Sequence, residues 1–532
     1  MQIPSTISHD LMKVLILGSS GIIGQHMRLN VPDLIKPIWH RRKADCLHVG
    51  CDLMDRDSMI EFLGRHSPEV IVNLAGESRP DVVEKDPAAS EYINAHMPIE
   101  LAVWCEEENR RLIQVSTQAV FSGEDPPYSP MDERQPVNEY GRQKKAAEDV
   151  LAHECATVVR PTFILGVRPL PHIGRANPAE CMLAGQAKQV GDRHFSPLFA
   201  EDAARLLWRI VLYGSQGGRV VHLGIPRPVS RSNVAGALGV THTLVSHDDF
   251  PGLAPRPKDT TYHVATARNF ISWRDGIRQV KADWDSRMTH DLEDKAIEIA
   301  LFLGISKDQA VNRLGQGFGK LHQDVTSDFR RINPQDDQAL LEWYRRTEAY
   351  LWELSAYHAD PGFNYSGMCG GISDRLKTLG VKTVLVLGDG VGTMTIHFTR
   401  EGLDATYHDL ASSRTAAFAA FRYWRQFGRE MPVCLTSGWA PELAGWYDAI
   451  VCSDFLEHVT DVSAWVAAIK SCLKPGGVLF SQNAFGPAMG SGPNGSIPMH
   501  LQRNDHYEKD WDPMLSAIGF TQDSSNWYRK AA

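Results

Sequence analysis

The chain has 532 residues, 43% hydrophobic and 22% charged, with 55 Lys+Arg against 64 Asp+Glu and a net charge of -9. That length implies about two to four domains, and the apolar content excludes disorder as the dominant state. The acidic balance argues against nucleic acid or an anionic membrane as the main partner, because both need a cationic face.

The N-terminal stretch MQIPSTISHD has no cationic region, and the VLILG run after it is too short for a signal core. No apolar run reaches the ~18 residues that span a bilayer, so a cytoplasmic location is expected. From Lys13, KVLILGSSGIIGQHM reads as strand, glycine loop and helix. Gly18, Gly21 and Gly24 are spaced G-x-x-G-x-x-G, with Ile22 and Ile23 in the last gap. Such glycines let backbone N–H groups approach a pyrophosphate at a helix N-terminus, although a plain tight turn would use them too. At the end of the expected second strand, an acid would hold the ribose 2′-OH of NAD. Here the stretch reads His40, Arg41 and Arg42, and two guanidiniums suit a 2′-phosphate.

Strand-like runs follow at VIVNLAG, RLIQVST, ATVVRPTFILG and VVHLG, with helical runs such as SEYINAHMPIELAVWCEEENR between them. Alternating β and α predicts a doubly wound parallel sheet. Within STQAVFSGEDPPYSPMDERQPVNEYGRQKKAAE, Tyr140 and Lys144 share a helix face. An ammonium near a tyrosine lowers the phenol pKa and suits it to acid–base work. Thr117, at the end of the preceding strand, can donate to a substrate carbonyl.

Between about Asn269 and Tyr357 the periodicity is helical, which predicts a connector that becomes a lid. A second strand and glycine loop begin at Lys382: KTVLVLGDGVGTMTIHF. Gly388, Gly390 and Gly392 read G-x-G-x-G, and Asp409 ends a second predicted strand, where a carboxylate can take both hydroxyls of a ribose. The loop alone would also fit a second dinucleotide. The strand YDAIVC, the run SDFLEHV with Asp454, the helix VSAWVAAIKSCL and the turn KPGG come next. His458 and His500 are candidates for the general base of a transfer to a hydroxyl. SAYHADPGFNYSGMCGG, before the strand, could close over a ligand.

The nine cysteines are scattered without CxxC spacing, and the 21 histidines show no HExxH cluster. Reduced thiols and no metal site are expected.

Over residues 12–265, GSSGIIG, VIVNLAGESRPDVVEKDPAASEYINA, STQAVFSG, PPYSPMDERQPVNEYGRQKKAAE and PRPKDT together resemble the extended short-chain dehydrogenase/reductases, in their dTDP-4-dehydrorhamnose reductase branch. They are also similar to the regulatory β subunits of methionine adenosyltransferase. The resemblance implies Thr117, Tyr140 and Lys144 as a catalytic triad. It also places Asn73, Ala75 and Gly76 along the cofactor and Asp52 near the adenine. The branch often reads STDYVF where this chain has Ser116-Thr117-Gln118-Ala119-Val120-Phe121, which leaves sugar specificity open. From about Asp360 to Trp527 the glycine loop, Asp409, the LEHV segment and KPGG together resemble class I methyltransferases. That family often has an acid where this chain has Val386.

The expected architecture is α/β, with two Rossmann-like domains, 12–265 and 359–532, joined by a helical connector over 266–358. The expected function is bifunctional: NADPH-dependent reduction of a keto group on a nucleotide-activated deoxysugar, with NAD as the lesser cofactor, and S-adenosylmethionine-dependent methylation. The alternative is a regulatory dinucleotide-binding module attached to an active methyltransferase. A small-molecule substrate is expected, neither nucleic acid nor membrane is, and self-association stays open.

Overall fold

The structure is a computed structural model that describes residues 11–45, 47–151, 156–186, 189–214, 219–250, 252–263, 270–286, 291–438, 440–485 and 499–531. Cys46, Cys155 and part of the expected connector lie outside the described residues. The chain divides into two compact units, residues 1–289 with 303–308, and residues 290–302 with 309–532.

The first unit holds a seven-stranded parallel sheet. Its spatial order is Arg219–Leu223, Ala156–Pro161, Arg111–Val115, Val70–Asn73, Met12–Leu17, Ile35–Arg41 and Val49–Gly50. Val14, Leu15, Ile16 and Leu17 are fully buried, as expected for a central strand covered on both faces. Strand order reverses beside Met12–Leu17, which opens a crevice at the carboxyl ends of the strands. The helix Ile22–Leu29 starts there, with Gly21 as its N-cap.

The second unit has its own seven-stranded sheet, with the order Val433–Thr436, Asp404–Leu410, Thr383–Leu387, Tyr447–Ser453, Leu473–Gln482, Trp527–Lys530 and Phe520–Ser524. The last two strands form an antiparallel hairpin, and Trp527–Lys530 runs antiparallel to Leu473–Gln482. Three of these strands escape the sequence reading. Val433–Thr436 and Phe520–Ser524 are short, mostly exposed edge strands, and the hairpin's other strand is as short. KPGG lies inside the span Leu473–Gln482 at a register shift and does not precede the strand.

The expected connector over 266–358 is not a separate unit. The helix Trp273–Asp285 packs in the first unit, where Ile277 and Val280 join the core around Phe195 and Phe199. Residues 309 onward belong to the second. The helix Leu292–Leu303 is tied there by buried ion pairs: Asp294 to Arg425 at 2.7 Å and Glu298 to Arg422 at 2.7 Å. The segment expected to close over a ligand forms the ends of two helices, Ala349–Ala359 and Tyr365–Thr378. Tyr365 and Cys369 sit in the core, and His358 Nδ1 meets Thr393 Oγ1 at 2.9 Å.

Candidate functional site

A cleft of about 640 Å³ opens over the carboxyl ends of the first sheet. Gly18, Gly21, Ile22, Ile23, Gly24, Ala75 and Gly76 line one end. Gly18 has φ +70, and a Cβ there would stand 2.7 Å from the Ala75 backbone. A Cβ on Gly24 would stand 2.5 Å from the Ser19 backbone, so only glycine lets the loop fold this tightly. At Gly21 the nearest atom to such a Cβ is 3.6 Å away, which leaves that helix N-terminus open to a phosphate.

Asn73 does not line the cleft. It is fully buried, donates to Gln114 Oε1 at 2.8 Å and accepts the Ala75 N–H at 3.0 Å. It braces the cofactor-side loop from beneath. Arg41, Arg42 and Asp52 also stand outside the lining. Arg41 pairs with Asp45 at 2.7 Å, and Arg42 pairs with Asp52 at 2.8 Å.

Thr117, Tyr140 and Lys144 converge in the cleft. Gly141 makes this approach possible: a Cβ there would lie 2.2 Å from the Ala119 carbonyl, so the helix Glu139–Leu151 rests directly on the loop after Arg111–Val115. Thr117 Oγ1 accepts the Ala119 N–H at 3.1 Å, and its hydroxyl faces the Tyr140 phenol. Desolvation raises the Tyr140 phenol above its ordinary value, while the Thr117 hydroxyl and the Arg175 charge pull it back. The expected help from Lys144 is not what opposes burial here. Its ammonium donates to the Val115 carbonyl at 2.9 Å, and desolvation lowers it to about 8.

The far end of the cleft is cationic, with Arg193, Arg231 and Arg256 on its wall. Arg193 pairs with Asp248 and Arg256 with Asp81. Sequence reading names none of these residues or Arg175: Arg175 and Arg193 lie in loops without a motif, Arg231 opens the helix Arg231–Ala237, and Arg256 lies in PRPKDT, which is read for family likeness and not for charge. Gln118, at the position of the STDYVF aspartate, lines the cleft with a buried Oε1 that has no hydrogen-bond partner.

In the second unit, Gly388, Gly390 and Gly392 have φ of +63, +50 and +77. Asp409 holds their loop: Oδ2 accepts the Gly390 N–H at 2.9 Å and Oδ1 the Leu410 N–H at 2.7 Å. The Tyr407 hydroxyl has one proton for two acceptors, the Gly390 carbonyl at 2.7 Å and Asp409 Oδ2 at 3.1 Å. Each carboxylate oxygen has two lone pairs, so Asp409 keeps acceptor capacity on Oδ1, and on Oδ2 when the Tyr407 proton goes to the Gly390 carbonyl. Val386 is buried in the strand, and Asp389, three residues on, is turned to the next helix, accepting Met394 N–H at 3.1 Å and Thr395 N–H at 2.8 Å. Asp454 has φ +48 and is exposed at the end of Tyr447–Ser453. His458 and His500 meet edge to face, with ring centroids 4.9 Å apart.

Residues 12–285 match the model of the RmlD substrate binding domain. The chain belongs to that family. Residues 355–520 match a methyltransferase domain model. The chain is similar to a dTDP-4-keto-6-deoxy-D-glucose reductase of Streptomyces niveus, 27% identical over 271 residues, 45% of this chain and 91% of that one. It is similar to a dTDP-4-dehydrorhamnose reductase of Mycolicibacterium smegmatis, 31% identical over 225 residues, 40% of this chain and 67% of that one. It is also similar to methionine adenosyltransferase 2 subunit beta of Danio rerio, 33% identical over 160 residues, 29% of this chain and 48% of that one. The chain thus spans about half the length of this last relative. Among solved structures, a dTDP-4-dehydrorhamnose reductase of Clostridium acetobutylicum covers 52% of this chain and 100% of its own, at 22% identity and a TM-score of 0.45. Among the described residues, no helix is long and apolar enough to cross a membrane.

Proposed function

We propose that the first unit reduces a keto group on a nucleotide-activated deoxysugar and that the second methylates a related sugar or small molecule. The convergence of Thr117, Tyr140 and Lys144 inside a cleft that also holds the Gly18–Gly24 loop supports the redox reading. NADPH would supply the hydride and S-adenosylmethionine the methyl group. The open N-terminus at Gly21 fits a pyrophosphate, and Asp409 with free acceptor capacity fits a ribose.

Thr117 and Tyr140 would hold the substrate carbonyl, and Tyr140 would deliver a proton to its oxygen. Lys144, anchored on the Val115 carbonyl, would hold the nicotinamide ribose, and the Arg175 charge would favour the phenolate. Arg193, Arg231 and Arg256 suit the diphosphate of a sugar nucleotide, because guanidinium makes charge-assisted bonds to phosphate. The likeness to a methionine adenosyltransferase subunit supports the alternative of a regulatory module. NADPH oxidation with a panel of nucleoside-diphosphate 4-keto sugars separates the two. Turnover that depends on Tyr140 supports the reductase, and cofactor binding without turnover of any member supports the regulatory module.

A further inference from the structure

Two residues after Phe455, whose ring lies 2.3 Å from where a Cβ on Gly388 would stand, the chain places Glu457 and His458. His500, far along the sequence, folds back onto them. One ligand atom from each of Glu457, His458 and His500 lies within 4.8 Å of the other two.

The three side chains are prepared in a specific way. Glu457 is 1% exposed; its Oε1 accepts the Ala484 N–H at 2.9 Å, and its buried Oε2 has no hydrogen-bond partner among the described residues. His500 is 7% exposed, and its buried Nδ1 likewise has no partner among the described residues. Buried polar atoms in native proteins nearly always have partners, so two acceptors that face one cluster with none among the described residues leave a place for a shared ion. His458 Nδ1 lies 3.1 Å from the Met499 carbonyl. A carbonyl only accepts, so Nδ1 carries the proton and Nε2 keeps its lone pair. Metal-ligating imidazoles are commonly oriented this way, by a bond from the other ring nitrogen to a carbonyl. The Tyr344 hydroxyl, 3.2 Å from the same Nδ1, further holds the ring.

We infer that Glu457, His458 and His500 bind a divalent transition-metal ion beside the methyl-donor pocket. Two imidazoles and one carboxylate form a set that suits zinc or ferrous iron and leaves positions open for a substrate oxygen. This inference rests on reading the second unit as a methyltransferase, and it gives the two histidines a role other than general base. The ion would hold the acceptor hydroxyl and lower its pKa, as metals do for bound water. The O–H proton leaves to solvent, the oxygen bonds the donor methyl carbon, and the carbon–sulfur bond breaks with its electron pair passing to sulfur. The products are a methyl ether and S-adenosylhomocysteine.

The test is titration of the chelator-treated full chain with Co²⁺, followed by its visible absorption bands, and with Zn²⁺ by calorimetry. One ion per chain is expected. His500→Ala and Glu457→Gln should each weaken binding at least about 100-fold, beyond the usual effect of losing a partner outside the ligand set. S-adenosylhomocysteine binding, measured on the same samples, should persist in both variants. Absence of metal binding in the parent chain, or binding that both variants leave unchanged, overturns the inference while the donor-pocket reading stands. Absence of S-adenosylhomocysteine binding in the parent chain overturns the methyltransferase reading instead.

Discussion

The carboxylate of Asp409 accepts the backbone N–H of Gly390 at 2.9 Å, so one side chain both shapes the second glycine loop and faces the proposed ribose site. Asp409→Ala should therefore damage donor binding twice, by removing an acceptor and by loosening the loop. Two charge-assisted bonds are together worth ~3 kcal/mol or more, about a hundredfold in affinity. Calorimetry with S-adenosylhomocysteine checks this, and unchanged affinity would mean that the ribose lies elsewhere. Gly390→Val should be at least as harmful, because φ is +50 there and a Cβ would stand 2.7 Å from Leu354.

Donor affinity should also rise with pH through the mildly acidic range. Desolvation raises Asp409 to about 6 in the free chain. Ribose hydroxyls bond the ionised carboxylate more strongly than the neutral acid, so they lower that pKa on binding. Below about pH 6 binding must then release a proton, and affinity falls by up to about tenfold per pH unit. Above that it levels off. Asp409→Asn should flatten the curve, and a slope that survives this change assigns it to another group.

Tyr140→Phe should abolish reduction while NADPH still binds. The change removes one hydroxyl, and such a proton-transfer group contributes ~10²–10⁴-fold in rate. Methyl transfer should continue. Full reductase turnover in this variant would favour the regulatory reading.

Gly141→Ala should lower reductase kcat by about 100-fold, the scale on which an ångström of misplacement acts. The added methyl would meet the Ala119 carbonyl at 2.2 Å and push the helix bearing Tyr140 away from Thr117. NADPH affinity should fall far less than kcat, since the Gly18 loop is untouched and only the Lys144 contact moves with the helix. A comparison of kcat with cofactor Kd checks this.

Arg41→Ala with Arg42→Ala should weaken NADPH and leave NADH nearly unaffected. Full charge-assisted bonds would give about 10–100-fold. Arg42 is exposed and already paired with Asp52, so the effect should lie near tenfold. Equal affinities of the parent chain for the two cofactors would remove the basis for this preference.

Both glycine loops, their flanking strands and the Tyr140–Lys144 pair were legible in the sequence by itself. The reason is locality: a buried parallel strand is a continuous apolar run, a loop that needs φ near +60 or close backbone approach needs glycine, and a four-residue spacing sets a helix face. The tertiary structure alone decided the rest. Asn73 is adjacent in sequence to cleft residues, yet the sheet turns it inward to Gln114. Arg175, Arg193 and Arg256 reach the cleft from separate loops and Arg231 from the start of the helix Arg231–Ala237. The helices between the two strand-rich regions divide between two units because Ile277 finds one core and Glu298 finds Arg422 in the other. His500 meets Glu457 and His458 because the two segments are tied by Leu501 N–H to the Glu457 carbonyl at 3.0 Å and by His458 Nδ1 to the Met499 carbonyl at 3.1 Å, contacts between segments with no common motif. Side chains that make a site through such long-range contacts leave no periodicity for a sequence to display.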